Sequence, residues 1–370
     1  MSNLKEYLAQ LITAEGPLPL DRYMEICLTD PKHGYYMTRD PFGRKGDFIT
    51  APEVSQMFGE IIAFWVIDCW HMMGAPQAFR LVELGPGRGS LMADVMRTLK
   101  IAPPVREAAG LHLVEASPVL RKLQEEKLEG RWHERLEDVP EGPLIVIANE
   151  FFDALPVRQF QKTGSGWREV VVEAKEGVLS LGLAEPGEAL ERIGSELRGT
   201  AEVGQIAEIS PTALALAQGL AERLAGDGGG ALLIDYGYVE DALGETLQAV
   251  KAHRFTGLLE EPGEADLTAH VNFAALARAF QEAGAKTFGP ISQGSFLRRM
   301  GIELRAARLM AAAEPDQRAE ISSALQRLIS DQAMGAHFRV LAVTSEELGV
   351  PVGFEEAGLE GAGSEGGSDA

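Results

Sequence analysis

The sequence predicts an α/β protein built on a mostly parallel sheet with helices on both faces. Apolar runs that can form strands occur at 79–84, 110–117, 144–149 and 231–238, and helical periodicity fills the segments between them. A glycine-rich turn directly follows the first run. Apolar strands that alternate with helices are typical of a parallel sheet that is buried on both faces.

Two segments depart from this alternation. Residues 3–28 show helical periodicity, whereas 30–53 is rich in Gly, Pro, Asp and aromatic residues and has no clear period. Its aromatic content argues against disorder, so we expect an ordered loop that covers part of the protein. Residues 157–205 contain short alternating runs joined by glycine turns, which predicts an antiparallel insertion.

These patterns divide the chain into three parts. We expect an N-terminal helical extension with the covering loop at 1–75, and a core at 76–350 that carries the insertion at about 157–205. The tail at 353–370 is rich in glycine and acid and is predicted to be disordered.

Bulk properties exclude several classes of protein. The 370 residues carry a net charge of −21, which disfavours non-specific binding to nucleic acid. No apolar run reaches the length of a membrane span, and the first residues show no targeting pattern, so we expect no membrane partner. Cys27 and Cys69 have no metal-binding spacing and read as buried thiols, so no metal site is expected. The sequence does not define the oligomeric state, and a homodimer is one of the alternatives.

The glycine turn predicts a nucleoside-type ligand. Glu83, Gly85, Gly87 and Gly89 form an E-x-G-x-G-x-G pattern, in which the sixth position of a dinucleotide fingerprint is Ser90. A phosphate-binding Gly-Lys-Ser/Thr sequence is absent. The pattern is the form found in class I S-adenosylmethionine (SAM) methyltransferases, in which an acid at the strand end can accept from the amine of SAM.

Acidic side chains follow two further strands. Glu115 ends the second strand, where a carboxylate can accept from ribose hydroxyls. Asn149, Glu150 and Asp153 follow the strand 144–149, and carboxylates there suit a guanidinium substrate. The alternative is structural, with Asn149 capping a helix and Asp153 on the surface.

The chain resembles the MidA-like SAM-dependent methyltransferases, which are related to the complex I assembly-factor arginine methyltransferase. The blocks that carry the resemblance are DPKHGYYMTRDPFGRKGDFITAPEVSQMFGE (30–60), LVELGPGRGSL (81–91), ANEFFDALPV (148–157), LIDYGY (233–238) and ADLTAHVNF (265–273). The resemblance implies a class I methyltransferase (Rossmann-like) sheet with SAM as the methyl donor.

Roles for individual residues follow from the motifs and the resemblance together. Glu83 and the three glycines are expected to hold the methionine portion of SAM, and Glu115 its ribose. The cofactor-covering loop would contribute Gly46, Asp47, Thr50 and Pro52. Asn149, which is also expected to contact the cofactor, would orient the nucleophile with Glu150 and Asp153. His270 is a candidate general base.

The expected activity is SAM-dependent transfer of a methyl group to arginine in a protein. The resemblance adds symmetric dimethylation and an assembly-factor role as expectations. Two alternatives stay open: a small-molecule or amide N- or O-methyltransferase, and a SAM-binding assembly factor without catalysis. The absence of a transit segment predicts a bacterial relative in the cytoplasm.

Overall fold

A computed structural model of the chain describes residues 4–41 and 50–355. Its helices are α1 (Leu4–Glu15), α2 (Leu20–Thr29), α3 (Tyr35–Thr38), α4 (Ala51–Val54), α5 (Gln56–Met72), α6 (Ser90–Thr98), α7 (Pro103–Ala108), α8 (Pro118–Glu125), α9 (Ser195–Thr200), α10 (Pro211–Asp227), α11 (Phe273–Glu282), α12 (Gln293–Arg299), α13 (Ile302–Ala311), α14 (Pro315–Ile329) and α15 (Met334–His337). Its strands are β1 (Leu18–Pro19), β2 (Phe79–Leu84), β3 (Ala109–Val114), β4 (Arg131–His133), β5 (Leu144–Asn149), β6 (Arg158–Thr163), β7 (Gly166–Lys175), β8 (Val178–Ala184), β9 (Ile206–Ile209), β10 (Gly229–Tyr238), β11 (Gln248–Lys251), β12 (Arg254–Thr256), β13 (Asp266–Thr268), β14 (Val271–Asn272), β15 (Lys286–Ser292) and β16 (Phe338–Thr344).

The central sheet confirms the predicted α/β class. Its strand order is β15-β16-β10-β5-β2-β3-β4, and β14 also pairs with β10. Neighbouring strands from β4 to β10 are parallel, whereas β16 runs antiparallel to both β10 and β15. The chain leaves β2 toward β3 and β4, and later returns to the other side of β2 as β5. The carboxyl ends of β2 and β5 therefore form the switch point at which α/β sheets bind ligands.

Apolar helices cover both faces of this sheet. On one face, α5 buries Phe58, Ile62 and Trp65 in a cluster that also contains residues of α6. On the other face, Leu220 of α10 and Phe280 of α11 pack against alternate residues of β5 and β10. The nearly continuous burial of β5 explains its wholly apolar sequence, because both of its faces lie under helices.

A second, antiparallel sheet lies where the insertion is predicted. Strands β6, β7, β8 and β9 pair antiparallel. Leu18–Pro19 of the N-terminal segment also pairs with β7, so the extension and the insertion share one sheet. Residues from α1, α2 and β7 form a common apolar cluster there.

Several local features differ from the sequence expectations. The pair Pro103-Pro104 in the sequence favours a loop, but it begins α7, because proline is well tolerated in the first turn of a helix. The helical pattern of residues 52–73 favours one helix, but the structure interrupts it at Ser55, whose hydroxyl accepts a hydrogen bond from Met57 N at the start of α5. Residues 353–355 at the start of the predicted tail are described, and Phe354 packs against Phe296.

Residues 286–336 show no clear pattern in the sequence, but the structure has β15 and α12 to α15 there. Within residues 4–41 and 50–355, no helix combines the length and apolar character that a membrane crossing requires.

Candidate active site

The glycine turn joins β2 to α6 at the switch point. Gly85, Gly87 and Gly89 have φ angles of 62°, 53° and 73°, a region that residues with a side chain rarely adopt. A Cβ atom on Gly85 would lie 2.7 Å from Cδ2 of Phe151, and one on Gly89 would lie 2.9 Å from Cδ1 of Leu128. Both the backbone conformation and the close packing therefore require glycine in this turn.

Glu83 lies near the end of β2 and is 3% exposed. Among the described residues, none forms a hydrogen bond with its Oε2 atom. Burial, and then the negative charge of Glu115, raise the pKa of Glu83 to about 8. A buried carboxylate oxygen without a partner is unfavourable unless a ligand donates to it. The amine of SAM is a donor of the required charge, so this residue fits the expected cofactor.

Glu115 directly follows β3 and is held by its neighbours. Its carboxylate accepts hydrogen bonds from Ser117 N at 2.7 Å and from Gln124 Nε2 at 3.0 Å. Gln124 also donates to the carbonyl oxygen of Gly87 at 2.7 Å and accepts from Trp132 Nε1 at 2.8 Å. Burial raises the pKa of Glu115 to about 7. One buried amide thus fixes Glu115 relative to the glycine turn.

Asn149 and Glu150 lie at the carboxyl end of β5. Glu150 has a φ of 51°, which is uncommon for a residue with a side chain and often marks a functional position. Its Oε1 atom accepts from Ala51 N and from Asn149 Nδ2, both at 3.1 Å. Burial raises the pKa of Glu150 to about 7. Asn149 Oδ1 is buried, and no described residue bonds to it.

Asp235, at the end of the neighbouring strand β10, holds the turn that follows Glu150. Its Oδ2 atom accepts from the backbone N–H groups of Phe151, Phe152 and Asp153 at 3.1, 2.9 and 3.2 Å. Burial, followed by the charge of Asp153, keeps the pKa of Asp235 well above its ordinary value. Asp235 therefore positions the turn.

Asp153 is buried beneath Tyr236. The Tyr236 hydroxyl donates to Asp153 Oδ2 at 2.5 Å, whereas Oδ1 is buried and no described residue donates to it. Burial raises the pKa of Asp153 to about 6. The Tyr236 ring makes edge contacts with the rings of His270 and Phe338, with centroid separations of 5.5 and 5.6 Å. His270 is exposed, so it lies at the margin of the site.

One cavity brings many of the predicted residues together. It is lined by residues of the α4 region, the glycine turn and the end of β5, namely Thr50, Pro52, Glu53, Glu83, Gly85, Pro86, Gly87, Arg88, Ser90, Leu91, Asn149 and Glu150. Gly89 follows this lining in the glycine turn. Glu115 is connected to it through Gln124, which binds both Glu115 and the carbonyl oxygen of Gly87. Gly46 and Asp47 lie outside the described residues.

Arg88 of the glycine turn holds the covering segment on both sides of 42–49. Its Nε and Nη2 atoms donate to the carboxylate of Asp40 at 2.7–3.0 Å, and its Nη1 lies 3.5 Å from Glu53 Oε1. The ion pairs raise the pKa of Arg88, with the hydrogen bond to Asp40 as the main cause. The Arg88 guanidinium thus joins Asp40 and Glu53 to the glycine turn.

Sequence reasoning missed the roles of Arg88 and Gln124. Arg88 stood inside the glycine motif, but its partners are 48 and 35 positions away and no local pattern links them. Gln124 carried a weak signal, since it is an amide on the apolar side of a predicted helix. Asp235 lies in the block LIDYGY, and in the structure it holds the turn after β5 rather than the turn after its own strand.

Comparison with known proteins agrees with this geometry. Residues 61–291 match the family described as "Putative S-adenosyl-L-methionine-dependent methyltransferase". A Drosophila melanogaster protein is named "Protein arginine methyltransferase NDUFAF7 homolog, mitochondrial". It is 38% identical to this chain over an alignment of 385 positions, gaps included, which covers 92% of this chain and 84% of the Drosophila protein. The Homo sapiens NDUFAF7 protein is 36% identical over 371 residues, which cover 91% of this chain and 82% of its own.

A solved structure shares almost the whole fold. A Burkholderia thailandensis protein, crystallised with S-adenosyl-homocysteine bound, superposes with a TM-score of 0.82 at 30% identity. The match covers 95% of this chain and 93% of that chain.

The relatives correct one expectation. Placement in a bacterial cytoplasm was wrong, because the curated relatives are named as mitochondrial proteins. The expectations of a methyltransferase fold, of enzymatic activity and of SAM as cofactor are confirmed. The chain belongs to the family of SAM-dependent methyltransferases that includes the NDUFAF7 protein arginine methyltransferases.

Proposed function

We propose that this methyltransferase modifies arginine side chains of a protein substrate. The observation that carries the proposal is the carboxylate pair that follows β5: Glu150 is partly buried, and Asp153 is buried with one oxygen that lacks a donor among the described residues. A guanidinium presents five N–H donors and a positive charge, which suits two such carboxylates. The names of the curated relatives support the same substrate class.

The cofactor would lie in the cavity between β2 and β5. We assign Glu83 to the amine of its methionine portion, and Gly85, Gly87 and Gly89 to the close approach of that portion to the backbone. Glu115 would accept from the ribose hydroxyls. Asn149, Thr50 and Pro52 would border the cofactor from the side of the substrate. The roles of Gly46 and Asp47, the role of His270 and membership of the MidA-like branch stay predictions from the sequence.

Transfer needs positioning and the removal of one proton. Bound SAM supplies a methyl group on a sulfonium. The substrate nitrogen forms the new N–C bond as the C–S bond breaks, and S-adenosylhomocysteine leaves. Glu150 and Asp153 would orient the guanidinium so that one nitrogen faces the methyl group. The raised pKa values of Glu150, about 7, and of Asp153, about 6, suit a carboxylate that accepts the proton released by the product near neutral pH.

Substitution of Glu150 by Gln tests the proposal. The amide preserves shape but cannot neutralise a guanidinium or accept its proton, so we expect kcat on an arginine substrate to fall at least about 100-fold. Calorimetry should show that SAM affinity changes little. Glu173→Gln, on β7 of the insertion sheet, is a matched control that should keep full activity. Unchanged methylation of arginine by the Glu150 variant would contradict the proposal.

A further inference from the structure

A second opening reaches Glu150 from the side of β10 and β16. We call it the outer opening. The side chains that line it include Glu150, Tyr236, His270, Arg327, His337 and Arg339. Tyr236, whose hydroxyl binds Asp153, lies between the rings of His270 and Phe338. The outer opening therefore reaches Glu150 directly, and the hydroxyl of Tyr236 links its lining to the buried Asp153.

The charge of the outer opening is opposite to that of the chain. The whole chain carries 55 acidic and 34 basic residues. Among the described residues that line the outer opening, Glu150 is the one acid, whereas Arg327 and Arg339 are permanent cations and two histidines add ionisable groups. A basic entrance thus surrounds an acidic end point in a strongly acidic protein.

The two arginines differ in their surroundings. Arg327 lines the same opening as Glu150, and its positive charge lowers the pKa of Glu150 against the larger effect of burial. Arg339 lies on β16 opposite Asp235, and no described residue accepts a hydrogen bond from its buried Nε atom. Because the side chain of Arg339 is partly exposed and lines the outer opening, its guanidinium is placed to bind a carboxylate of a ligand.

The charge of the outer opening indicates which residues should flank the target arginine in the substrate. A lysine- or arginine-rich segment would be repelled at the entrance, whereas carboxylates beside the target would be attracted. We propose, on the basis of the arginine methyltransferase function proposed above, that the substrate is an arginine within an acidic peptide segment. Arg339 and Arg327 bind the flanking carboxylates, and Glu150 and Asp153 bind the target guanidinium.

A peptide series tests this inference on the full chain with SAM. The peptides have equal length and a central arginine flanked by glutamate, serine or lysine; a fourth peptide has a central lysine with glutamate flanks, and free arginine serves as a small-molecule probe. We expect kcat/KM for the glutamate-flanked arginine to exceed that for the lysine-flanked one roughly tenfold, since several rim charges contribute a few-fold each. The preference should shrink at high salt.

Charge reversal tests the assigned residue. Arg339→Glu should lower kcat/KM for the glutamate-flanked peptide roughly tenfold and raise it for the lysine-flanked peptide, and Arg339→Gln should fall between the two. Arg192→Glu, at an exposed site outside the outer opening, should leave the preference unchanged. The SAM affinity of each variant, measured by calorimetry, reports that the fold is intact.

The outcomes separate the two proposals. Equal methylation of all three arginine peptides by the wild-type protein would overturn the acidic-flank inference and leave the arginine function standing. Methylation of the central lysine or of free arginine, with no arginine peptide methylated, would overturn the arginine function and this inference together.

Discussion

Substitution of Glu83 by Gln should weaken cofactor binding and stabilise the cofactor-free protein at the same time. In the structure the buried Oε2 atom of Glu83 has no partner among the described residues. If this oxygen accepts from the amine of SAM, the variant loses a hydrogen bond between charged groups, worth about 1.5–3 kcal/mol. Calorimetry should therefore show a dissociation constant for SAM that is raised roughly 10- to 150-fold.

The effect on stability has the opposite sign. The pKa of Glu83 is raised from its ordinary value to about 8, so the folded chain holds this proton more tightly than the unfolded chain. The free energy of unfolding should therefore fall as pH rises from about 4.5 to about 8, because ionisation of Glu83 is disfavoured in the folded state. The variant lacks this carboxyl group. At pH 8 its free energy of unfolding should therefore exceed that of the cofactor-free wild type by about 1–3 kcal/mol.

Urea unfolding with and without SAM measures both effects on the same samples. Saturating SAM, at about 100 times its dissociation constant, should stabilise the wild type by about 2.7 kcal/mol, and the same SAM concentration should stabilise the variant much less. Glu173→Gln, at an exposed position of β7 away from the cavity, is a control that removes a carboxylate without an orphaned buried oxygen. A Glu83→Gln protein that binds SAM like the wild type and gains no stability would show that Glu83 does not accept from the amine of SAM.

Three further substitutions test the surroundings of the cofactor cavity. Gly85→Ala should abolish measurable SAM binding in calorimetry, because of its positive φ and the lack of space for a Cβ, whereas Gly164→Ala, in open space, should bind normally. Gln124→Met should raise the dissociation constant of SAM about tenfold, since it removes the hydrogen bonds that join the glycine turn to β3; wild-type affinity would show that this amide is only structural. Arg88→Gln should accelerate SAM dissociation a few-fold in stopped-flow measurements, an effect that salt should reproduce in the wild type and that Arg97→Gln should not show.

The sequence predicted the parts of the fold that depend on local patterns. The strands that become β2, β5 and β10 are apolar because both faces are buried, and this property is visible without any knowledge of their neighbours. The glycine turn was equally clear, because three positive φ angles at alternate positions require glycine. Glu83 and Glu150 could be predicted as candidate site residues, because each lies at the end of such a strand.

Features that depend on distant partners escaped prediction. Leu18–Pro19 is too short to show a strand period, and its pairing with β7 joins segments about 150 residues apart. Gln124 looks like an ordinary helix residue until its amide is seen between Gly87 and Glu115. The three backbone donors that Asp235 binds come from a turn more than 80 residues earlier, so its role is not visible in its own strand.

The most direct test is to identify the methylated residue. The purified protein is incubated with SAM carrying a labelled methyl group and a lysate of cells that lack this chain, and labelled proteins are mapped by mass spectrometry. We expect methylarginine in a protein segment, formed by the wild type and absent with Glu150→Gln, although the variant still binds SAM. Label confined to small molecules or to residues other than arginine, or equal labelling by the variant, would contradict it.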